Sequence, residues 1–237
     1  MYIRDIHAEK DLQDLRRLVR ENPLGLFTTV ISSRSGSFPL LQTSHIPFIL
    51  DIEDESSETE LGTLRGHLAR ANPQSKAFIE ETSANSTRGL EHDVLALFQS
   101  PVHAYIPPEF LSETKPKTQK VVPTWNYDAV QVYGKATVYV DSKSEETSAH
   151  LNSQIDALTN HIEVNIMNHT SEDGRSEAWK VTDAPEKYTE LLKKAIIGVE
   201  IKVERMEGKF KMSQEEPAGD RAGVIQGFQG LGTEKAR

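Results

Sequence analysis

The stretch Val130-Gln131-Val132-Tyr133-Gly134-Lys135-Ala136-Thr137-Val138-Tyr139-Val140 decides the fold class. Val130, Val132, Gly134, Ala136 and Val138 fall on one face of an extended chain. Gln131, Tyr133, Lys135, Thr137 and Tyr139 fall on the other. A period of two over eleven residues describes a strand with one buried face. Similar runs flank it. Upstream lie Leu26–Ile31, Leu40–Leu50, Leu61–Leu68, Val94–Gln99 and Val102–Ile106. Downstream, Val199, Ile201, Val203 and then Met206 alternate with Glu200, Lys202 and Glu204, and Gly208 turns the chain into Phe210-Lys211-Met212.

Helical periods separate these strands. Leu12, Leu15, Leu18 and Val19 form one stripe between Glu9 and Asn22, stopped by Pro23 and Gly25. Asn72-Pro73 opens a second helix to about Thr82. Leu151, Ile155, Leu158, Ile162 and Ile166 mark a third from Ser144 to about Asn168. Asp183-Ala184-Pro185 starts a fourth, with Gly198 as its C-cap. Polar loops are expected at Asp51–Glu60, Ala84–Glu91 and Thr170–Glu177, with an exposed, mobile stretch at Glu113–Lys120. Strands come in adjacent antiparallel sets more than in βαβ alternation. That pattern favours an α+β barrel over a doubly wound sheet. A single domain covers 1–237, with a helix-and-strand extension at about 144–214 and a flexible tail at 215–237.

Composition narrows the function. The chain has 237 residues, 37% of them hydrophobic, which is enough for a sizeable core. With no cysteine, thiol catalysis and Cys-ligated metals are excluded. Met1–Lys10 is polar, so no signal peptide is expected, and no apolar run approaches membrane-spanning length. The cytoplasm is the expected compartment, or the nucleus for a regulator. The formal net charge of −9 repels nucleic acid overall, and no zinc-finger or helix-turn-helix spacing is present. There is also no G-x-S-x-G, Walker A or G-x-G-x-x-G motif.

Four clusters place polar residues in strand patterns without a packing reason: Thr43–Pro47, Gly66–Pro73, Val121–Tyr127 and Gly208–Gln214. A phosphate needs hydroxyls, cations and backbone N–H groups near a helix start. Thr43, Ser44, His67, Arg70, Asn72, Lys209, Lys211, Ser213 and Gln214 supply that inventory. Trp125 or Tyr127 supplies a face for a flat ring. An anionic, planar ligand fits it better than a metal or a sugar. Each residue also has a plainer account. Asn72 can be a helix cap, Trp125 core filling, Lys209 and Lys211 a solvated face, and His45, His67 and His103 structural histidines. His45 and His67 without a third ligand make no metal site.

On these clusters the chain resembles the PaiB family of FMN-binding transcriptional regulators. The similarity begins at Met1-Tyr2 and takes in Asn22–Gly25, His45-Ile46-Pro47, Ala104-Tyr105-Ile106, Val121–Tyr127, Ala195–Gly198 and Gly208–Gln214. Gly66-His67-Leu68-Ala69-Arg70-Ala71-Asn72-Pro73 is its most specific word. The resemblance implies an FMN-binding split β-barrel, antiparallel and Greek-key-like with flanking helices. It also implies a homodimer with flavin sites at the interface, and DNA as a partner. The chain departs from the pattern at Pro107–Phe110, at Glu215 and in its added polar loops, which suit a fungal member. Three functions follow as expectations. One is a flavin-binding regulator or sensor, its phosphate on Arg70, Lys209 or Lys211, and Thr43 or Ser44, its ring near His67 and Trp125. Another is a flavin-dependent oxidoreductase with His45, His67 or Tyr127 as proton donor. The last is a haem-binding or haem-degrading protein on the same barrel.

Overall fold

The computed structural model describes residues 1–33 and 35–232. In chain order the elements are β1 (Ala8–Glu9), α1 (Leu12–Glu21), β2 (Leu24–Val30), β3 (Leu41–Asp51), β4 (Thr63–Ala69), α2 (Pro73–Asn85), β5 (Val94–Gln99), β6 (Ala104–Ile106), α3 (Thr114–Thr118), β7 (Thr124–Tyr139), α4 (Glu145–Asn160), α5 (Glu186–Lys194), β8 (Ile196–Lys211) and α6 (Ala218–Leu231). The sheet runs β1-β8-β4-β3-β2-β5-β7-β6, and a further β7–β8 pairing closes it on itself. All pairings are antiparallel. Because β1 and β6 only extend the ends, six strands form the closed barrel. Within it, β2, β3 and β4 follow as a meander and β5 returns beside β2, which is a Greek key.

The opening alternation is what fills the barrel. Val130, Val132 and Val138 are fully buried and Ala136 nearly so; Ala136 and Val138 stand opposite Ile201 and Val199 of β8. Phe27, Phe48 and Phe98 meet edge to face in the centre, with centroids 5.8 Å and 5.9 Å apart. The apolar stripe of α1 closes one side through Leu15, Leu18 and Val19. Asp11 caps that helix by accepting from Gln13 N.

Two glycines expected at helix and turn boundaries lie inside one strand. Gly198 is not a C-cap, because α5 ends at Lys194 and β8 begins at Ile196. A Cβ on Gly198 would stand 2.6 Å from the His150 ring. Gly208 is not a turn either. It pairs with Val130 and Glu9, and a Cβ there would meet Leu15 at 2.1 Å. Both are glycine because neighbours press on the strand. The jump in parity from Val203 to Met206 is a β-bulge: Tyr133 pairs with Arg205 and Gly134 with Val203, leaving Glu204 unpaired.

The region expected to be a flexible tail, 215–237, contains a helix over Ala218–Leu231; its end, 233–237, lies outside the described residues. Val224 packs with Ile106 and Leu111, and Phe228 rests edge-on against Phe110. Gly223 and Gly227 let the helix approach Phe110 closely. The stretch Glu113–Lys120, expected to be mobile, carries the short helix α3, whose first amides at Glu113 and Thr114 donate to the buried Asp220 carboxylate. The acidic loop 51–60 is likewise tied down. Its carbonyls at Glu55, Ser57 and Glu60 accept from Arg16, a side chain only 1% exposed.

Candidate functional site

The predicted site residues separate into two groups. Tyr139 pairs with Gly198 at one end of the β7–β8 ribbon, and Tyr127 pairs with Lys211 at the other. Twelve residues of extended chain cover roughly 40 Å along the strand.

The first group gathers around the end of β4. Asn72 caps α2 by accepting from Gln74 N, and its Nδ2 donates to Ser44 Oγ at 2.9 Å. Thr43 Oγ1 lies 2.9 Å from Thr28 Oγ1 on an exposed strand face, with His45 exposed two residues on. Arg70 spends its guanidinium on backbone. Nε donates to Lys194 O, and Nη2 to Val140 O and Ile196 O. It locks the ends of three segments together, so its charge is only partly available to a phosphate.

His67 projects from the outer face of β4. Its Nδ1 lies 2.8 Å from Oε1 of Gln154 on α4, a side chain with no exposed surface. An amide oxygen only accepts, so in this pairing Nδ1 donates and Nε2 is left as the acceptor, while the Gln154 amide nitrogen is buried without a hydrogen-bond partner among the described residues. His67 lines a cavity of about 460 Å³ between the β4–β8 edge, α4, α5 and the segment before α5. Its walls include Ile155, Trp179, Val181, Tyr188, Leu192 and Ile196, with Asp156 and Lys193 among its polar lining. Three of these walls remain well exposed: Trp179 at 46%, Tyr188 at 56% and Leu192 at 47%.

The second group sits at the far end of the ribbon. Trp125 is 49% exposed, so it is not core filling. It stacks on His103 at 5.9 Å and meets Tyr105 edge-on at 6.0 Å, forming an open aromatic platform. Lys209 is not simply solvated: its Nζ is 5.3 Å from the Tyr127 ring and donates to Tyr2 O. Lys211 is half-buried, donating to Thr124 Oγ1 at 2.9 Å and Asn126 Oδ1 at 3.4 Å, with Glu215 at 3.6 Å. Asn126 Nδ2 in turn donates to Ser213 Oγ, a buried hydroxyl on a residue at φ 60°. Gln214 reaches back to the carbonyl of Ile6. Lys211 and Ser213 therefore tie the end of β8 to the start of β7, and Gln214 ties it to the N-terminal segment.

Sequence reasoning missed Gln154, Trp179, Tyr188 and Leu192. Trp179 is one of only two tryptophans and stands beside a polar loop, which was the one available signal. The others read as ordinary members of helices. Among the described residues no three His, Asp or Glu side chains gather as a metal site would require, and no helix is long and apolar enough to cross a membrane.

A closed antiparallel split barrel with flanking helices is the architecture of the flavin-binding split-barrel class. The chain belongs to the FMN-binding domain family: a family model described as "Putative FMN-binding domain" matches residues 1–205. An uncharacterized protein of Aspergillus fumigatus is 53% identical over 99% of this chain and 93% of its own length. Protease synthase and sporulation protein PAI 2 of Bacillus subtilis is 28% identical over 97% of this chain and 89% of its own. Among solved structures, the FAD and heme binding protein from Mycobacterium smegmatis superposes with a TM-score of 0.51 at 14% identity, covering 91% of this chain and 78% of that one. That likeness concerns the fold.

Proposed function

We propose that the chain binds FMN in a site completed by two copies of itself and works as a flavin-dependent redox protein. The separation of the two groups along the β7–β8 ribbon carries this reading. His67 with Ser44 and Asn72, and Trp125 with Lys209, lie at opposite ends of one barrel. They flank a single flavin only when each end comes from a different chain. The residues suit the group. The open Trp125 platform offers a face for a flat ring, and the Lys209 ammonium and the Ser44 and Thr43 hydroxyls are donors a phosphate would accept from. FMN supplies electron and hydride transfer when bound. The chain supplies the ring's contact surface, the phosphate's donors and, at His67 Nε2, a proton acceptor.

The His67 cavity favours a redox enzyme over a DNA-binding regulator, because a regulator needs no opening of this size beside the cofactor. The net charge of −9 also opposes DNA binding.

Titration of the purified protein with FMN tests the reading. The expected result is micromolar affinity with a shifted visible flavin spectrum, whereas haem would give a Soret band instead. Sedimentation is expected to show a dimer, and Trp125→Ala to weaken FMN at least tenfold. Mixing Trp125→Ala chains with Asn72→Ala chains should restore one intact site per mixed dimer. Absence of flavin binding at tens of micromolar sinks the cofactor assignment. Failure of the mixed dimers to recover sinks the two-chain site.

A further inference from the structure

We infer that the cavity between α4 and α5 is a separate binding site for a neutral, flat aromatic molecule bearing a hydroxyl or N–H donor, which it presents to His67 Nε2. The volume of about 460 Å³ lies within the range of small-molecule sites and suits two to four fused rings. The walls are apolar and aromatic, with Ile155, Val181 and Ile196 beside Trp179 and Tyr188. Leaving Trp179, Tyr188 and Leu192 half-exposed around one opening forgoes burial that an occupant would recover.

The polar groups define the ligand further. Gln154 is fully buried and its Oε1 faces Nδ1 of His67, which lines the cavity, so in this pairing Nδ1 donates to Gln154 and Nε2 is the ring's acceptor. Gln154 is thus a positioning residue, acting through His67. A donor on the ligand satisfies Nε2, and a bare hydrocarbon leaves it unpaired. Asp156 and Lys193 carry opposite charges, and Lys193 is already engaged by Asn152 and Glu190. The lining therefore selects for neither anion nor cation. Tyr139 and His150, which pack nearby on β7 and α4, are engaged with each other and lie outside the lining. As the substrate pocket of a redox enzyme the site rests on the FMN reading above; as a binding site it stands on its own geometry.

The probe is 1-naphthol, with naphthalene as the control lacking the donor. Both are titrated calorimetrically into the full chain without flavin, with quenching of Trp179 followed in a Trp125→Phe background. 1-Naphthol is expected to bind at micromolar to tens of micromolar concentration. His67→Phe should weaken it about tenfold, the net worth of one hydrogen bond, and leave naphthalene unchanged. Leu192→Glu, at a half-exposed wall that tolerates the charge, should abolish binding of both. Equal affinity of 1-naphthol for wild type and His67→Phe overturns the donor-reading role. Binding that survives Leu192→Glu, or no binding at all, overturns the cavity as the site. Stoichiometric displacement of 1-naphthol by FMN overturns its separateness from the flavin. Naphthol binding without FMN binding defeats only the flavin reading, and the reverse result defeats only this one.

Discussion

His150 shows how much a single residue's surroundings can change its chemistry. Its ring stacks on Tyr139 at 3.8 Å and 14° between planes, and its side chain is 7% exposed. Burial pushes its pKa down to about 4, with the Arg65 charge acting in the same direction. The folded chain therefore resists protonation that the unfolded chain accepts near pH 6.5. Stability from this group is fully present above the unfolded value and is lost as pH falls towards about 4. His150→Phe keeps the stack and removes the titration. Its urea midpoint should fall less than the wild type's between about pH 7 and pH 4.5, and parallel curves would refute the assignment. Nothing near His150 in sequence signals this burial. Arg16 is similar: it reads as a charged position on an amphipathic helix, yet the fold folds a distant loop over it. At His67 the type and the word around it were legible, whereas its partner Gln154 stands 87 residues away and was not.

At the scale of elements, strand alternation and helix stripes located most segments, since both depend on local periods. The failures have one cause. Gly198 and Gly208 were read by their local habit of ending helices and making turns, while contacts with His150 and Leu15 had selected them. The helix α6 was missed because its Gly-rich sequence has weak intrinsic helicity. It forms where those glycines fit against Phe110 and where Asp220 receives two amides of the α3 start. Asp220→Ala should remove that anchor at a local cost of about 1–3 kcal/mol. The amides of Glu113 and Thr114 are then expected to exchange hydrogen at least tenfold faster, with barrel strands unaffected. Unchanged exchange at both would show that the apolar contacts of α6 and the Ser112 and Glu113 bonds to Gly219 hold it without Asp220.

Over the whole molecule, the β7–β8 pairing turns a sheet into a closed barrel and gives α1 and α4 fixed surfaces to cover. Closure joins the ends, so the barrel should unfold as one unit. Trp125 and Trp179 report from opposite ends. Their fluorescence, read separately in Trp179→Phe and Trp125→Phe chains, should give coincident urea transitions. Transitions separated beyond error would mean that the α4–α5 side opens on its own. The sequence by itself determined the strand-rich class, the barrel's inward face and the words of an FMN-binding family, because period and motif are properties of neighbouring residues. Only the tertiary structure decided that those words stand at opposite ends of one ribbon, that Arg70 is spent on backbone carbonyls, and that His67 opens on an apolar cavity. Those facts depend on which distant segments share a surface, and the closure of the barrel fixes that.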